Sequence, residues 1–178
     1  MEFLSMTLHE SQLHFASKDS SQVDKVTVGA AILRKDTSAP SVLLLKRNSN
    51  VKHYPNVFEI PGRNVEATYP TVRDATIREV GEETQLMVLG IVSPLSSIRC
   101  STEKLEKPPT GLDEIFKRNA LQLSYIVSVQ GTDFRINKEE HSMRFWATRN
   151  TLDWIPITLE MRGLVLEVLD SYEDLLTM

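Results

Sequence analysis

The segment Arg78-Glu79-Val80-Gly81-Glu82-Glu83-Thr84 carries the residue types and spacing most suited to chemistry. On a helix, spacings of three and four place Glu79, Glu82 and Glu83 along one face. Three like charges on one surface cost stability unless something positive lies against them. A hard divalent cation with oxygen ligands, Mg²⁺ or Mn²⁺, meets that need. The plainer alternative is a solvated acidic face, since charge runs belong mostly to surfaces. Crowded carboxylates also raise one another's pKa, so one of them can stay protonated near neutral pH and act as an acid without metal.

Other residues offer less specific chemistry. Lys46 and Arg47 end a leucine-rich run, and Lys52 and His53 follow, so these cations either flank phosphates or form an ordinary basic turn. His141, after Glu139 and Glu140, is either a ligand or acid, or a solvated loop histidine. Phe58, Phe145 and Trp146 either stack on a ring or belong to the core.

Elements must position these groups. Val72, Ala75 and Val80, with Asp74 four residues before Arg78, predict a helix between residues 70 and 85 with Thr71 as its N-cap. Strands are expected over 26–33, 42–46, 57–60, 86–92, 121–129 and 143–147. Pro61-Gly62 ends the third, because proline lacks a donor and glycine lets the chain turn, and a loop to about Tyr69 follows. The charged stretch 101–119, with Pro108-Pro109 and Gly111, reads as a substrate-facing loop. Met161, Leu164, Val165, Val168, Leu169 and Tyr172 form one apolar stripe on a C-terminal helix that covers the sheet. Residues 1–25 are polar and read as a flexible lead-in, leaving 26–178 as a single domain of α+β or mixed α/β class.

Composition narrows the partners. Hydrophobic residues make up 41% and charged residues 25%, with 7 Gly and 8 Pro in 178 residues, which excludes disordered and collagen-like classes. A net charge of -4 argues against non-specific binding to nucleic acid or an anionic membrane. The lone Cys100 forms no intrachain disulfide and reads as a buried small hydrophobe in a reducing compartment. The N-terminus has no basic n-region or long apolar h-region, and no window of about 18 apolar residues occurs, so the expectation is a cytoplasmic protein.

With its flanks, residues 55–62 and then 78–86, the acidic segment resembles the signature of the Nudix family. That family's box reads G-x5-E-x7-R-E-U-x-E-E-x-G-U, with U aliphatic, and forms a loop, a helix and a loop against an α/β/α sandwich. Arg78, Glu79, Val80, Glu82, Glu83 and Leu86 match in register. The opening glycine falls on Asn64 and the first glutamate on Pro70. The closing glycine falls on Gln85, where a left-handed C-cap costs a non-glycine residue roughly 1 kcal/mol. Arg63 stands beside Gly62 where the family often has a second glycine, which makes the 62–69 loop stiffer and bulkier. Through Val65-Glu66 the chain resembles a fungal-like subgroup with P-N-x-W-E-V-P-G-G-x-V-E ahead of the box.

The resemblance implies hydrolysis of a nucleoside diphosphate linked to another moiety, or of a related organic pyrophosphate. It implies Mg²⁺ or Mn²⁺ held by Glu79, Glu82 and Glu83, with Glu66 as a further ligand. The general base is Glu82 or Glu83, or Glu139 or Glu140 in the later loop, and Arg78 pairs with a glutamate to hold the ligand carboxylates in place. The partner implied is a small diphosphate-containing molecule, and a homodimer is compatible with the family. The altered glycines and absent first glutamate leave two alternatives. One is a metal-independent isomerase, cyclase or lyase using Glu66, Glu79, Glu82 and Glu83. The other is a non-catalytic binding module.

Overall fold

Two-residue alternation along β2 (Ser41–Arg47) sends Leu43 and Leu45 to one face of a sheet and Val42 and Leu44 to the other, and all four are fully buried. A sheet apolar on both faces must be covered on both. The computed structural model, which describes residues 3–19, 22–35, 39–106, 114–131 and 134–177, meets that requirement with helices on each side. On one face lie α1 (Leu8–Asp19) and α2 (Val72–Thr84); on the other lies α3 (Leu159–Thr177), whose Met161, Leu164, Val165, Val168 and Leu169 form the expected stripe.

The sheet also contains β1 (Lys25–Arg34), β3 (Phe58–Glu59), β4 (Met87–Pro94), β5 (Ile98–Glu106), β6 (Glu114–Gln130) and β7 (His141–Ala147). Its order is β3-β2-β1-β6-β4, with β5 also on β6 and β7 also on β2. β1 and β6 run parallel from Lys25↔Ala120 to Ile32↔Val127. β1 meets β2 only at Leu33↔Val42 and Arg34↔Ser41. The rest of that edge is filled by residues 61–65: Ala30 N–H donates to Pro61 O at 2.7 Å, Val28 N–H to Arg63 O at 2.8 Å, and Val65 N–H to Val26 O at 2.9 Å. This mixed sheet between helical layers is the α/β/α sandwich that the resemblance implies.

Two expectations change. Where a flexible lead-in over residues 1–25 is expected, residues 8–19 form α1. Thr7 and Glu10 make a capping box, with Thr7 N–H donating to Glu10 Oε2 at 2.8 Å and Glu10 N–H to Thr7 Oγ1 at 3.2 Å. Leu4 and Phe15 enter the core, and the carbonyls of Met6 and Leu4 accept the first-turn N–H groups of Val72 and Arg73 at 2.9 and 3.0 Å. The chain before β1 therefore satisfies donors that α2 leaves open at its start. Second, most of the expected 101–119 loop is strand: β5 pairs antiparallel with β6 from Ile98↔Gln122 to Glu106↔Glu114. Pro108, Pro109 and Gly111 lie outside the described residues. Among the described residues no helix is long and apolar enough to cross a membrane.

Candidate active site

α2 begins as its sequence predicts. Thr71 is extended at φ -144°, ψ 164°, and its Oγ1 accepts Asp74 N–H at 3.2 Å. The helix buries Val72, Ala75, Thr76 and Val80, and the same face carries Glu79 and Glu83, one turn apart. Only 2% of Glu79 and 3% of Glu83 are exposed. The helix ends on Gln85 at φ 58°, whose N–H donates to Gly81 O at 2.8 Å, so a glutamine occupies the left-handed cap.

Among the described residues each buried carboxylate has one donor. Tyr69 Oη donates to Glu79 Oε1 at 3.3 Å, and Glu79 Oε2 is buried with no hydrogen-bond partner. Gly62 N–H donates to Glu83 Oε2 at 2.8 Å. Glycine is required at that point because a Cβ would lie 2.1 Å from Val28 O. Burial pushes the Glu83 carboxyl up to about 9, opposed by the Gly62 N–H and reinforced by the charges of Glu59, Glu79 and Glu140. Glu79 is raised as well, by burial first and then by Glu82.

Glu82 does not share the buried face. A spacing of three turns it to the rim, where its exposed carboxylate accepts from Arg78 Nε at 2.5 Å. Arg78 thus pairs with a glutamate as expected, and its guanidinium also lies over the Tyr69 ring, 4.8 Å from the centroid. The ion pair therefore braces the tyrosine that holds Glu79.

Across from α2, Asn137 N–H donates to Glu83 O at 3.0 Å and Asn137 O accepts His141 N–H at 2.9 Å, which brings the start of β7 to the site. Glu140, half-buried, lies 2.5 Å from Arg63 Nη1. His141 is not a solvated loop residue: it is 2% exposed, its Nε2 is 3.3 Å from Glu59 Oε1, and its Nδ1 has no hydrogen-bond partner. Sequence reasoning assigned no role to Glu59, which also accepts from Arg47 Nη1 at 2.7 Å. The signal was an acidic residue inside the apolar run Phe58-Glu59-Ile60.

Some of these groups border a cleft of about 1370 Å³. Glu59, Glu66, Glu83, Glu140 and His141 line it together with Arg47, Lys52, His53 and Arg63; Lys46, Glu79, Glu82 and Glu139 do not. Glu66 is exposed at this edge. Ile98, Cys100, Arg118 and Asn119 from β5 and β6 form another wall, and Cys100 is exposed rather than buried. The aromatic candidates belong to the core. Phe58 and Phe145 pack with centroids 5.8 Å apart, and Trp146 meets Phe134 edge-on at 6.2 Å. Tyr54, at φ 50°, is an exposed ring on the cleft that the sequence did not single out.

Glu79 and Glu83 offer hard oxygen donors, one with a buried oxygen lacking a partner, in a region where neighbouring carboxylates repel. That chemistry fits a hard divalent cation. Among the described residues no three acidic, histidine or cysteine side chains are already gathered closely enough to enclose one.

No curated protein matches the chain. Solved structures do. The MutT NUDIX hydrolase of Burkholderia pseudomallei is 21% identical, with a TM-score of 0.57 over 81% of this chain and 97% of that one. The NUDIX domain of Shewanella oneidensis NrtR, complexed with ADP ribose, is 17% identical, with a TM-score of 0.62 over 94% and 99%. A C. elegans Ap4A hydrolase in a binary complex is 15% identical, with a TM-score of 0.55 over 84% and 98%. At these identities the likeness is one of fold. The NUDIX domain model matches residues 23–165, from β1's approach into α3, and on that match the chain belongs to the Nudix family.

Proposed function

We propose that the protein hydrolyses a nucleoside diphosphate linked to another moiety, or a related organic pyrophosphate, with Mg²⁺ or Mn²⁺ at the α2 carboxylates. The observation that carries this reading is the buried pair Glu79 and Glu83 beside a cleft rimmed by Arg47, Lys52 and Arg63. Membership of the family supports it, and ADP ribose and Ap4A, named for two structural neighbours, suggest the substrate class. Glu79 and Glu83, with Glu66 at the cleft edge, would hold the ion, and Glu82 would join them only by turning in from its pair with Arg78. Bound there, the metal would neutralise phosphate charge and lower the pKa of an attacking water.

The chain's own residues do the remaining work. Arg47, fixed by Glu59 and by the His53 carbonyl at 3.0 Å, and Lys52 offer cationic donors to phosphate oxygens. Tyr69 holds Glu79, and Arg78 holds both Tyr69 and Glu82. Of the four candidate bases only Glu83 and Glu140 reach the cleft, so Glu140 takes the proton from water, or Glu83 does once a bound cation offsets the burial that keeps its carboxyl protonated. The single cysteine supports a reducing, cytoplasmic setting.

The test is turnover of a panel of nucleoside diphosphate derivatives with Mg²⁺. Glu82→Gln and Glu83→Gln should each lower it by orders of magnitude with melting temperature unchanged or raised; undiminished turnover in both variants sinks the reading. A second reading rests on the raised Glu83 carboxyl, which is neutral at pH 7 and suited to metal-free acid catalysis on a small organic substrate. Activity that survives EDTA, with a carboxyl pKa well above the ordinary range in its pH–rate profile, would favour the second reading over the first.

A further inference from the structure

Arg63 stands in this chain where the family resemblance leads to the expectation of glycine, and its side chain reaches Glu140 at 2.5 Å. Its backbone is pinned. Arg63 O accepts Val28 N–H at 2.8 Å, and Gly62 before it packs against Val28 and Gly29 with no room for a Cβ. The side chain, by contrast, is half-exposed at 51% and carries its guanidinium at the end of a long rotatable stem. The guanidinium contacts Glu140, and the charges of Glu79 and Glu83 bear on it at longer range.

Resting on the hydrolase reading above, we infer that Arg63 is a tethered counter-cation: without phosphate it holds Glu140 and competes with divalent metal for the acidic cluster, and with a diphosphate present it turns to the phosphate. Two features support the exchange. A guanidinium pairs with carboxylate and with phosphate through the same planar fork, so the two arrangements are close alternatives. A divalent ion entering beside Glu83 would repel a guanidinium still at Glu140, so moving Arg63 onto phosphate relieves both. The consequence is positive linkage, in which metal and diphosphate each tighten the other's binding through a residue that touches no metal. Arg63 is in this sense a substrate-binding residue that also controls access of metal to the carboxylates.

The experiment is calorimetric titration of Mn²⁺ into the full chain, with and without methylenediphosphonate, corrected for metal chelated in solution. Arg63→Gln and Arg63→Lys are measured alongside, with near-UV circular dichroism to establish that each is folded. The wild-type protein should bind Mn²⁺ weakly alone and at least about tenfold more tightly with the diphosphonate. Arg63→Gln should bind Mn²⁺ about tenfold more tightly than wild type without the diphosphonate and gain little more from it, whereas Arg63→Lys should restore much of the wild-type coupling. If Arg63→Gln binds Mn²⁺ no more tightly than wild type, the tethered-cation role is overturned while the hydrolase reading stands. If no form binds Mn²⁺ under either condition, the hydrolase reading fails and takes this inference with it.

Discussion

Glu83→Gln isolates the cost of burying a carboxylate at this site. The folded-state pKa of Glu83 is about 9, against 4.5 for the group in the open chain. Between those values the folded protein keeps a proton that the unfolded chain has released, so the native state binds more protons and its stability falls as pH rises. The stability is fully present below the unfolded pKa and is lost progressively up to the folded one. The slope is about 1.4 kcal/mol per pH unit, or roughly 4 kcal/mol between pH 5 and pH 8. A glutamine in the same place is neutral throughout, and its carbonyl oxygen can still accept the Gly62 N–H. The variant should therefore be near wild type at pH 5 and more stable at pH 8, by a melting-temperature margin of roughly 2–4 °C per kcal/mol. Urea unfolding in EDTA at pH 5, 6, 7 and 8 measures it. The stability difference between variant and wild type should widen steadily with pH; a difference that stays flat within about 1 kcal/mol, or that reverses sign, refutes the argument. The variant that gains stability is also the one expected to lose turnover, as happens where a site keeps groups in unfavourable surroundings.

Gly62→Ala places a Cβ 2.1 Å from the Val28 carbonyl oxygen, so the 61–65 segment must shift off β1; a loss of about 1–3 kcal/mol in urea, with turnover falling as the Glu83 contact lengthens, is expected. Gln85→Gly relieves the left-handed cap at φ 58° and should add about 1 kcal/mol, read as a melting temperature roughly 2–4 °C higher. Thr7→Ala removes one half of the α1 capping box and should cost about 1 kcal/mol in urea, whereas a wild-type midpoint would mean that α1 contributes little to the fold.

α2 was the most legible part of the molecule because its information is local. The Thr71 cap, the apolar stripe and the glutamine at the left-handed cap are each set by residues within a few positions of one another. The core strands were legible for the same reason. α1 was not: its apolar residues are few, and its place comes from Leu4 and Phe15 entering a core built by distant strands. Thr7-x-x-Glu10 was nonetheless a readable start signal. The β5–β6 pairing is not legible locally, because charges and prolines suggest a loop and the register depends on a partner strand that local sequence does not name. In the site itself, residue type identified Glu79, Glu82 and Glu83 but not their directions. The inward turn of Glu83 and outward turn of Glu82, and the burial of His141 beside Glu59, follow from tertiary packing.

Because β2 leaves most of one edge of β1 open, residues 61–65 complete the ladder there, and the wall of the cleft is a rail of the sheet itself. The amides of Val28, Ala30 and Val65 should then exchange with deuterium only as slowly as the core opens, although Val65 belongs to a connection between elements. A ligand at this wall would meet backbone held by sheet hydrogen bonds. Adaptation at this wall then falls to exposed side chains, which reorient in picoseconds to nanoseconds.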